Sequence, residues 1–301
     1  MGIEINFIYL PQKGIEKIYE DENGIIYRSK IKDPKHINVA LGYLANRRPL
    51  DQDSILCLEP RCVTALDYSE EIKKFHKVFS WCKPGMNFIP DQKLHIINHP
   101  SWEDPPKYET LVRPKWSERQ GFVVVSNNKT SDHYSNIYEV RIKIADYLYA
   151  KKFDVSWYGQ ESIDRPYYKG PAKNKLEVLQ KARFCICPEN CYDEVYSHGY
   201  FSEKMPDAWF GGCVPLYIGC YNIDELNIPK ECYIDLRDFV KKTKEKTKIL
   251  YSELHNKINS FRENDYTNMI HATNEFMNRE DGLYYIISNK RAYRDIIKSF
   301  L

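Results

Sequence analysis

The sequence lacks the features that mark membrane-spanning, secreted and nucleic-acid-binding proteins. No stretch reaches the roughly 18 consecutive apolar residues of a spanning helix, and the first residues, MGIEINFIYL, carry a glutamate instead of the basic start of a secretory signal. The 301 residues carry a formal net charge of only +2, so no overall field attracts nucleic acid or an anionic membrane. We expect a cytoplasmic protein without a transmembrane segment or nucleic-acid partner, with peripheral attachment at a membrane surface as the alternative.

Several cofactor and catalytic motifs are also missing. No G-x-G-x-x-G follows a strand, no Walker lysine is present and no G-x-S-x-G occurs, which argues against NAD, ATP and a serine hydrolase. No D-x-D pair stands in the usual position at a strand end. The nine cysteines have no framework spacing, which favours a reduced compartment. The spacing of Cys185, Cys187, Cys191 and His198 matches no recognised zinc finger, so we predict no metal site.

Short apolar runs alternate with amphipathic segments along most of the chain, which is the pattern of an α/β protein. Predicted strands cover residues 3–10, 54–58, 77–81, 121–126 and 155–158, and predicted helices cover 68–75, 136–150 and 173–182. Residues 14–24 are interpreted as turn and loop, and residues 98–113 as a linker. From about residue 239 the pattern is helical and charged, with the basic run 241–248 interpreted as the solvated face of a helix.

The most informative stretch extends from residue 184 to residue 239. It reads as a buried strand (FCIC), a polar loop, a helix over 202–210, a Gly-Gly turn and a second buried strand (VPLYI). Open α/β sheets bind ligands at the carboxyl ends of their strands, and the N-terminus of a helix at that edge favours phosphate. The polar residues of this loop are therefore the first candidates for a binding site.

The string PEN…YFSEKM…AWFGGCVPLYIG in this stretch resembles the signature of the α-1,3-fucosyltransferases, family 10 of the glycosyltransferases. The resemblance covers about residues 54–239 and is strongest over 184–220. It implies an α/β fold of the GT-B type, with two Rossmann-like domains facing across a cleft and a helical C-terminal tail. On this basis we predict an acceptor-binding domain at 1–115, a domain for the nucleotide sugar GDP-fucose at 116–285, and a C-terminal helix at 286–301.

Glu203 and Lys204 are the strongest candidates for donor binding. A transferase must stabilise the negative charge that grows on the diphosphate as the glycosidic bond breaks, and a lysine at the start of a helix supplies positive charge there. The resemblance implies that both residues contact the donor. The alternative is a solvated pair of neighbouring charges at a helix start.

Asn190 and Tyr200 match family residues that face the nucleotide and its phosphates, and Glu189 matches the glutamate of the same motif. The loop between Asn190 and Tyr200 is longer than in the family. For Asn190 the alternative is a residue that caps a turn after the strand. Glu189 has an alternative structural role, in which it turns the loop by accepting hydrogen bonds from backbone N–H groups.

Arg141 follows the strand GFVVVSNN, in a pattern that resembles a family segment whose arginine contacts the diphosphate. A guanidinium matches phosphate oxygens bidentately. The alternative is an exposed helical arginine paired with Asp146 or Glu139. Ser126 and Asn127 lie at the carboxyl end of the same predicted strand and are predicted to line the donor site.

Glu59 follows the strand SILCL and is the candidate catalytic base. An inverting transferase needs one carboxylate to accept the proton of the acceptor hydroxyl during attack on the anomeric carbon. The resemblance places a glutamate with this proposed role here. The alternative is a glutamate that forms a turn before Pro60.

Taken together, the resemblance implies an inverting transferase that moves L-fucose from GDP-fucose to a glycan hydroxyl, α-1,3 to GlcNAc or Glc. No cofactor is obligatory, although Mn²⁺ or Mg²⁺ stimulates some members of the family. Two alternatives remain open. The first is the same fold with another nucleotide sugar or a protein acceptor, and the second is an inactive relative that binds glycan or nucleotide.

Overall fold

The computed structural model describes residues 2–8, 15–29, 35–41, 54–58, 60, 62–63, 70–83, 89–101, 106, 110–243 and 246–301. The chain divides into two compact units. The first unit comprises Met1–Asp104, Asp193–Tyr200 and Ile286–Leu301, and the second comprises Pro105–Tyr192 and Phe201–Tyr285. Both units are built around mainly parallel sheets, so the α/β fold that the sequence predicts is confirmed.

Among the described residues, the sheet of the first unit has seven strands in the order β2-β3-β1-β4-β5-β6-β7. All neighbours are parallel except β2 and β3, which are antiparallel. The strands are β1 (Ile3–Ile8), β2 (Glu16–Glu20), β3 (Gly24–Ser29), β4 (Ile37–Leu41), β5 (Ser54–Leu56), β6 (Val78–Ser80) and β7 (Leu94–Ile96).

The sheet of the second unit has five described strands in the order β12-β11-β10-β8-β9, all of them parallel. They are β8 (Gln120–Val125), β9 (Val155–Tyr158), β10 (Ala182–Ile186), β11 (Val214–Tyr217) and β12 (Ile234–Asp235). Central parallel strands are covered on both faces, which is why β8 and β11 are continuous apolar runs. Phe122, Val124 and Leu216 lie in the core of this unit.

The helices of the described chain follow the sequence pattern in most places. They are α1 (Tyr138–Ala150), α2 (Lys175–Lys181), α3 (Lys204–Phe210), α4 (Tyr251–Ser260), α5 (Glu263–Asn278), α6 (Leu283–Ile287) and α7 (Asn289–Lys298). Helix α3 lies between β10 and β11 and ends at Phe210, with Gly211 as its C-cap and Gly212 in a left-handed conformation (φ +69°). The predicted strand, loop, helix and strand of residues 184–218 are therefore confirmed.

Two secondary-structure predictions were wrong. Residues 14–24, interpreted as a loop, contain β2, which pairs with β3. The described residues of the basic run, 241–243 and 246–248, do not form a helix. They contribute to a hairpin of β13 (Val240–Lys242) and β14 (Thr247–Ile249). A run of lysines and threonines has no apolar period of its own, and burial of the flanking Val240 and Ile249 selects the strand conformation.

The units divide the chain at other residues than the predicted domains do. The first unit ends its N-terminal segment at Asp104, and it also includes residues 193–200 and 286–301. The predicted division at residue 115, with a separate C-terminal helix, stays a prediction. Helix α7 packs on the sheet of the first unit, where Ala292 and Ile296 contact the core that contains Ile5 and Phe7.

Candidate active site

The loop between β10 and α3 is organised around the carboxylate of Glu189, which is fully buried. Its Oε1 accepts hydrogen bonds from the backbone N–H of Ser202 (2.9 Å) and the hydroxyl of Tyr217 (3.3 Å). Its Oε2 accepts from the Ser202 hydroxyl (2.6 Å) and lies 3.1 Å from the ammonium of Lys204. A buried carboxylate needs such partners, because burial without them costs several kcal/mol.

Strand β11 and the residues that follow it, Ile218 and Gly219, hold this carboxylate in place. The backbone N–H of Glu189 donates to the carbonyl of Ile218 (2.8 Å). Gly219 lies so close that a Cβ there would stand 2.1 Å from Cγ of Glu189. Burial, followed by the charge of Glu189, raises the pKa of Tyr217 well above its ordinary value, so the tyrosine hydroxyl stays a donor. The position of the carboxylate is thus set by the sheet.

Lys204 is the first residue of α3, and its side chain is only 14% exposed. The ammonium donates to the Ser202 hydroxyl oxygen (3.1 Å) and lies 3.6 Å from Oε1 of Glu203. The Glu203 side chain is 41% exposed. Glu203 and Lys204 are therefore not a simple solvated pair, because the lysine is held inward by a buried carboxylate.

Arg141 is buried at 2% exposure and holds the loop to α1 and β8. Its Nε and Nη2 donate to the carbonyl of Pro188 (2.9 and 2.7 Å), and Nη2 also donates to the carbonyl of Glu189 (2.7 Å). Its Nη1 donates to the hydroxyl of Ser126 (2.7 Å). Arg141 is therefore not the exposed helical arginine considered as the alternative. Its guanidinium holds the backbone of the loop in place.

The two acids weighed as partners of Arg141 have other cations. Asp146 accepts from Arg165 (2.8 Å), and Glu139 pairs with Lys143 (2.7 Å).

Asn190, Ser126 and Asn127 lie close to Arg141 or to the same strand end. Asn190 is 6% exposed, and its Oδ1 accepts from Nη2 of Arg141 (3.1 Å). Its carbonyl accepts from the backbone N–H of Ile137 (3.1 Å). Asn127 accepts from the backbone N–H of Gln160 (2.8 Å). The structure therefore brings six of the predicted site residues to the carboxyl edge of the second-unit sheet: Ser126, Asn127, Arg141, Asn190, Glu203 and Lys204.

Tyr200 is placed differently, because it belongs to the first unit. Its ring is buried at 1% exposure, 5.0 Å from the ring of Trp81 and 5.3 Å from that of His99. In the longer loop that precedes it, the side chain of Asp193 accepts from the backbone N–H of Val195 (2.9 Å). The predicted contact of Tyr200 with the donor stays a prediction.

Glu59 lies outside the described residues. The carbonyl of Leu58, which precedes it, accepts from Nε1 of Trp81 (3.3 Å) and is 2.8 Å from Nε2 of His99. The predicted role of Glu59 as base stays a prediction.

Sequence reasoning missed a second charged pair beside Lys204. Asp207 lies in the first turn of α3, is 5% exposed and forms an ion pair with Lys175 of α2. Burial raises the pKa of Asp207 to about 6, although the ammonium of Lys175 acts in the opposite direction. The sequence signal that could have predicted this pair is the aspartate itself, which stands next to Ala208 and Trp209 on the otherwise apolar face of α3.

The described residues contain no group of three or more His, Cys, Asp or Glu side chains arranged to hold a metal ion. Burial raises the pKa of the Cys187 and Cys213 thiols well above its ordinary value, so both stay protonated. None of the helices in the described segments is both long enough and apolar enough to cross a membrane.

Comparison with known proteins gives one curated sequence relative and several similar structures. No protein-family model matches the chain. The α-(1,3)-fucosyltransferase FucT of Helicobacter pylori is 29% identical over 117 residues, which are 39% of this chain and 22% of that protein. The match thus spans less than a quarter of the relative's length.

Three solved structures resemble the fold over most of the chain. Structures of α1,3-fucosyltransferase with GDP-fucose and with GDP have TM-scores of 0.56 and 0.55 and are each 14% identical to this chain. The structure with GDP-fucose covers 99% of this chain, and this chain covers 90% of that structure's chain. The structure with GDP covers 98% of this chain, and this chain covers 89% of that structure's chain. WaaG, a glycosyltransferase involved in lipopolysaccharide biosynthesis, has a TM-score of 0.54 at 12% identity and covers 93% of this chain, which covers 88% of it. The chain therefore resembles the α-1,3-fucosyltransferases in part of its sequence and has the GT-B type α/β fold of glycosyltransferases.

Proposed function

We propose that the chain is an inverting fucosyltransferase that uses GDP-fucose and transfers L-fucose to a hydroxyl of a glycan, α-1,3 to GlcNAc or Glc. The observation that carries the proposal is the inward-held ammonium of Lys204, 3.1 Å from both the Ser202 hydroxyl and the Glu189 carboxylate. It lies within the stretch whose sequence resembles the fucosyltransferase signature. A partly buried, fixed cation is suited to a diphosphate leaving group.

In the proposed reaction, the acceptor hydroxyl oxygen bonds to the anomeric carbon of fucose while the bond from that carbon to the phosphate oxygen breaks. GDP leaves with the bonding electrons, and Lys204 stabilises the charge that develops on its phosphates. The carboxylate of Glu59 takes the acceptor proton. Glu203 contacts the donor, and Arg141 contributes positive charge while it holds the backbone at Pro188 and Glu189 in place. Arg141 and Lys204 supply the positive charge of the site, so the proposal includes no obligatory metal.

Calorimetric titration with GDP, UDP, ADP and CMP, without added metal, tests the donor site. We expect binding of GDP in preference to the other three nucleotides. Lys204→Ala should weaken GDP binding by about 10- to 100-fold, because a charge-assisted hydrogen bond contributes roughly 1.5–3 kcal/mol. Lys143→Ala, which removes an exposed lysine paired with Glu139, is the matched control and should bind GDP like the wild type.

Transfer of fucose from GDP-fucose to GlcNAc- and Glc-containing oligosaccharides tests the reaction. Glu59→Ala should lose turnover while it keeps the wild-type affinity for GDP. A preference for UDP would contradict the fucose assignment, and GDP binding without any turnover would favour an inactive nucleotide-binding relative.

A further inference from the structure

The partners of the buried Glu189 carboxylate include side chains as well as the backbone of the loop between β10 and α3. The backbone partner is the N–H of Ser202. The carboxylate also receives the hydroxyls of Ser202 and Tyr217 and lies 3.1 Å from Nζ of Lys204. Its charge therefore acts on the one lysine that the proposed function assigns to the phosphates.

Glu189, Ser202 and Lys204 form a closed triangle of two hydrogen bonds and one ion pair. The Ser202 hydroxyl donates to Oε2 of Glu189 (2.6 Å) and accepts from Nζ of Lys204 (3.1 Å). The ammonium donates one of its three N–H groups to Ser202 and forms an ion pair with Glu189. A lysine carries its charge on a flexible four-carbon stem, so these two contacts determine where the charge lies.

The triangle is fixed to the sheet. Glu189 is hydrogen-bonded through its backbone to Ile218, and its side chain fills the space that the missing Cβ of Gly219 leaves open. The position of the ammonium relative to β11 is thus fixed by the buried carboxylate of Glu189.

We propose that Glu189 is a positioning residue for donor binding, which acts through Lys204 by holding its ammonium where it meets the phosphates of a nucleoside diphosphate. This inference rests on the proposed function, and it deepens it by assigning a task to a residue that does not itself touch the donor. Glu189 then affects only the part of the affinity that depends on phosphate. A purely structural Glu189 would affect nucleoside and nucleotide binding alike.

The test is a double-mutant cycle with two ligands, GDP and guanosine, measured by calorimetry. We expect Glu189→Gln to weaken GDP binding by about tenfold and to leave guanosine binding within about twofold, because the neutral amide no longer forms an ion pair with the ammonium. In the Lys204→Met background, Glu189→Gln should change GDP affinity by less than about twofold, because the residue through which it acts is absent.

Two further variants complete the design. Asp146→Asn makes the same chemical change at a carboxylate that pairs with Arg165 and Tyr167, and it should leave both affinities unchanged. Ser202→Ala opens the triangle but keeps the Glu189 charge. Ser202→Ala should weaken GDP binding less than Glu189→Gln does, and it should leave guanosine binding unchanged. This variant also tests the proposal if Glu189→Gln does not fold.

The outcomes separate this inference from the proposed function. Equal losses for GDP and guanosine, or the same loss in both Lys204 backgrounds, would overturn the positioning role while GDP binding by the wild type stands. An unchanged GDP affinity in both Glu189→Gln and Ser202→Ala would do the same. Failure of the wild type to bind GDP would overturn the proposed function and this inference with it.

Discussion

The second unit contains buried charged side chains, and each of them has a specific set of hydrogen-bond or ion-pair partners. Arg119 is fully buried and donates to the carbonyls of Pro114, Ala182 and Gly211, so it joins three segments through backbone carbonyls. Asp207 is the opposite case, since it is a buried acid whose partner Lys175 is 41% exposed on its side chain. Such a pair compensates burial of the carboxylate only in part, which is why the pKa of Asp207 rises to about 6.

Asp207 gives a pH dependence with a defined sign. Its folded-state pKa of about 6 exceeds the ordinary value of 3.8, so the folded state holds the proton more tightly than the unfolded state does. The stability from this group is present at pH values below about 4 and is lost as the pH rises through 6. Relative to Asp207→Asn, the wild type should therefore lose about 1 kcal/mol of unfolding free energy between pH 5 and pH 7.

Urea denaturation of both proteins at pH 5, 6 and 7 measures this difference. A difference that stays constant with pH, or one that changes in favour of the wild type, would contradict the assigned pKa direction. Asp146→Asn serves as the control carboxylate.

At the scale of elements, the hairpin of β13 and β14 places like charges opposite each other. Lys241 and Lys248 are paired in register and both are exposed. Like charges directly across an antiparallel pair destabilise it. The hairpin forms nevertheless, because Val240 and Ile249, which are also paired in register, are buried in the core of the second unit.

Lys248→Glu should stabilise this hairpin, because it replaces a repulsive cross-strand pair by an attractive one. The expected gain in unfolding free energy is about 0.2–1 kcal/mol at low salt, and it should shrink as salt is added. Lys169→Glu makes the same change of net charge at an exposed residue outside the hairpin and should give no comparable gain. Equal effects of the two substitutions in urea denaturation would show that net charge, not pairing, is responsible.

At the scale of the whole molecule, the two ends of the chain complete one unit. The core of the first unit joins Ile5 and Phe7 of β1 to Ile296 and Ile297 of α7, all buried to 2% exposure or less. The rings of Phe7 and Tyr293 meet edge to face at 5.4 Å. The last helix is thus part of the first unit's core, although almost the whole sequence separates it from β1.

Ile296→Ala should lower the unfolding free energy of the first unit by about 2–5 kcal/mol, since it leaves a cavity in a closed core. Hydrogen exchange should accelerate in β1, β3 and β4, and not in β8 or β10. Lys298→Ala removes an exposed side chain from the same helix and should leave exchange unchanged. Faster exchange confined to the second unit would contradict the placement of α7.

The sequence alone determined the α/β class and most strands and helices, and it singled out the loop around Lys204 as the candidate site. It could do so because these features are local, and each is contained in a few consecutive residues. They are the apolar runs around Val123 and Leu216, the Gly-Gly stop after α3 and the motif around Lys204. The resemblance to the fucosyltransferases rests on the same local strings.

Only the tertiary structure decided what depends on long-range contacts. The burial of Glu189 against Gly219, the task of Arg141 in holding the backbone at Pro188, and the pairing of Asp207 with Lys175 each join segments that lie far apart in the chain. The docking of α7 on β1 is of the same kind, and the hairpin at Val240 depends on burial of Val240 and Ile249 in the core of the second unit. A sequence pattern encodes the periodicity of one element, whereas the partner that buries its apolar face or neutralises its charge is set by packing.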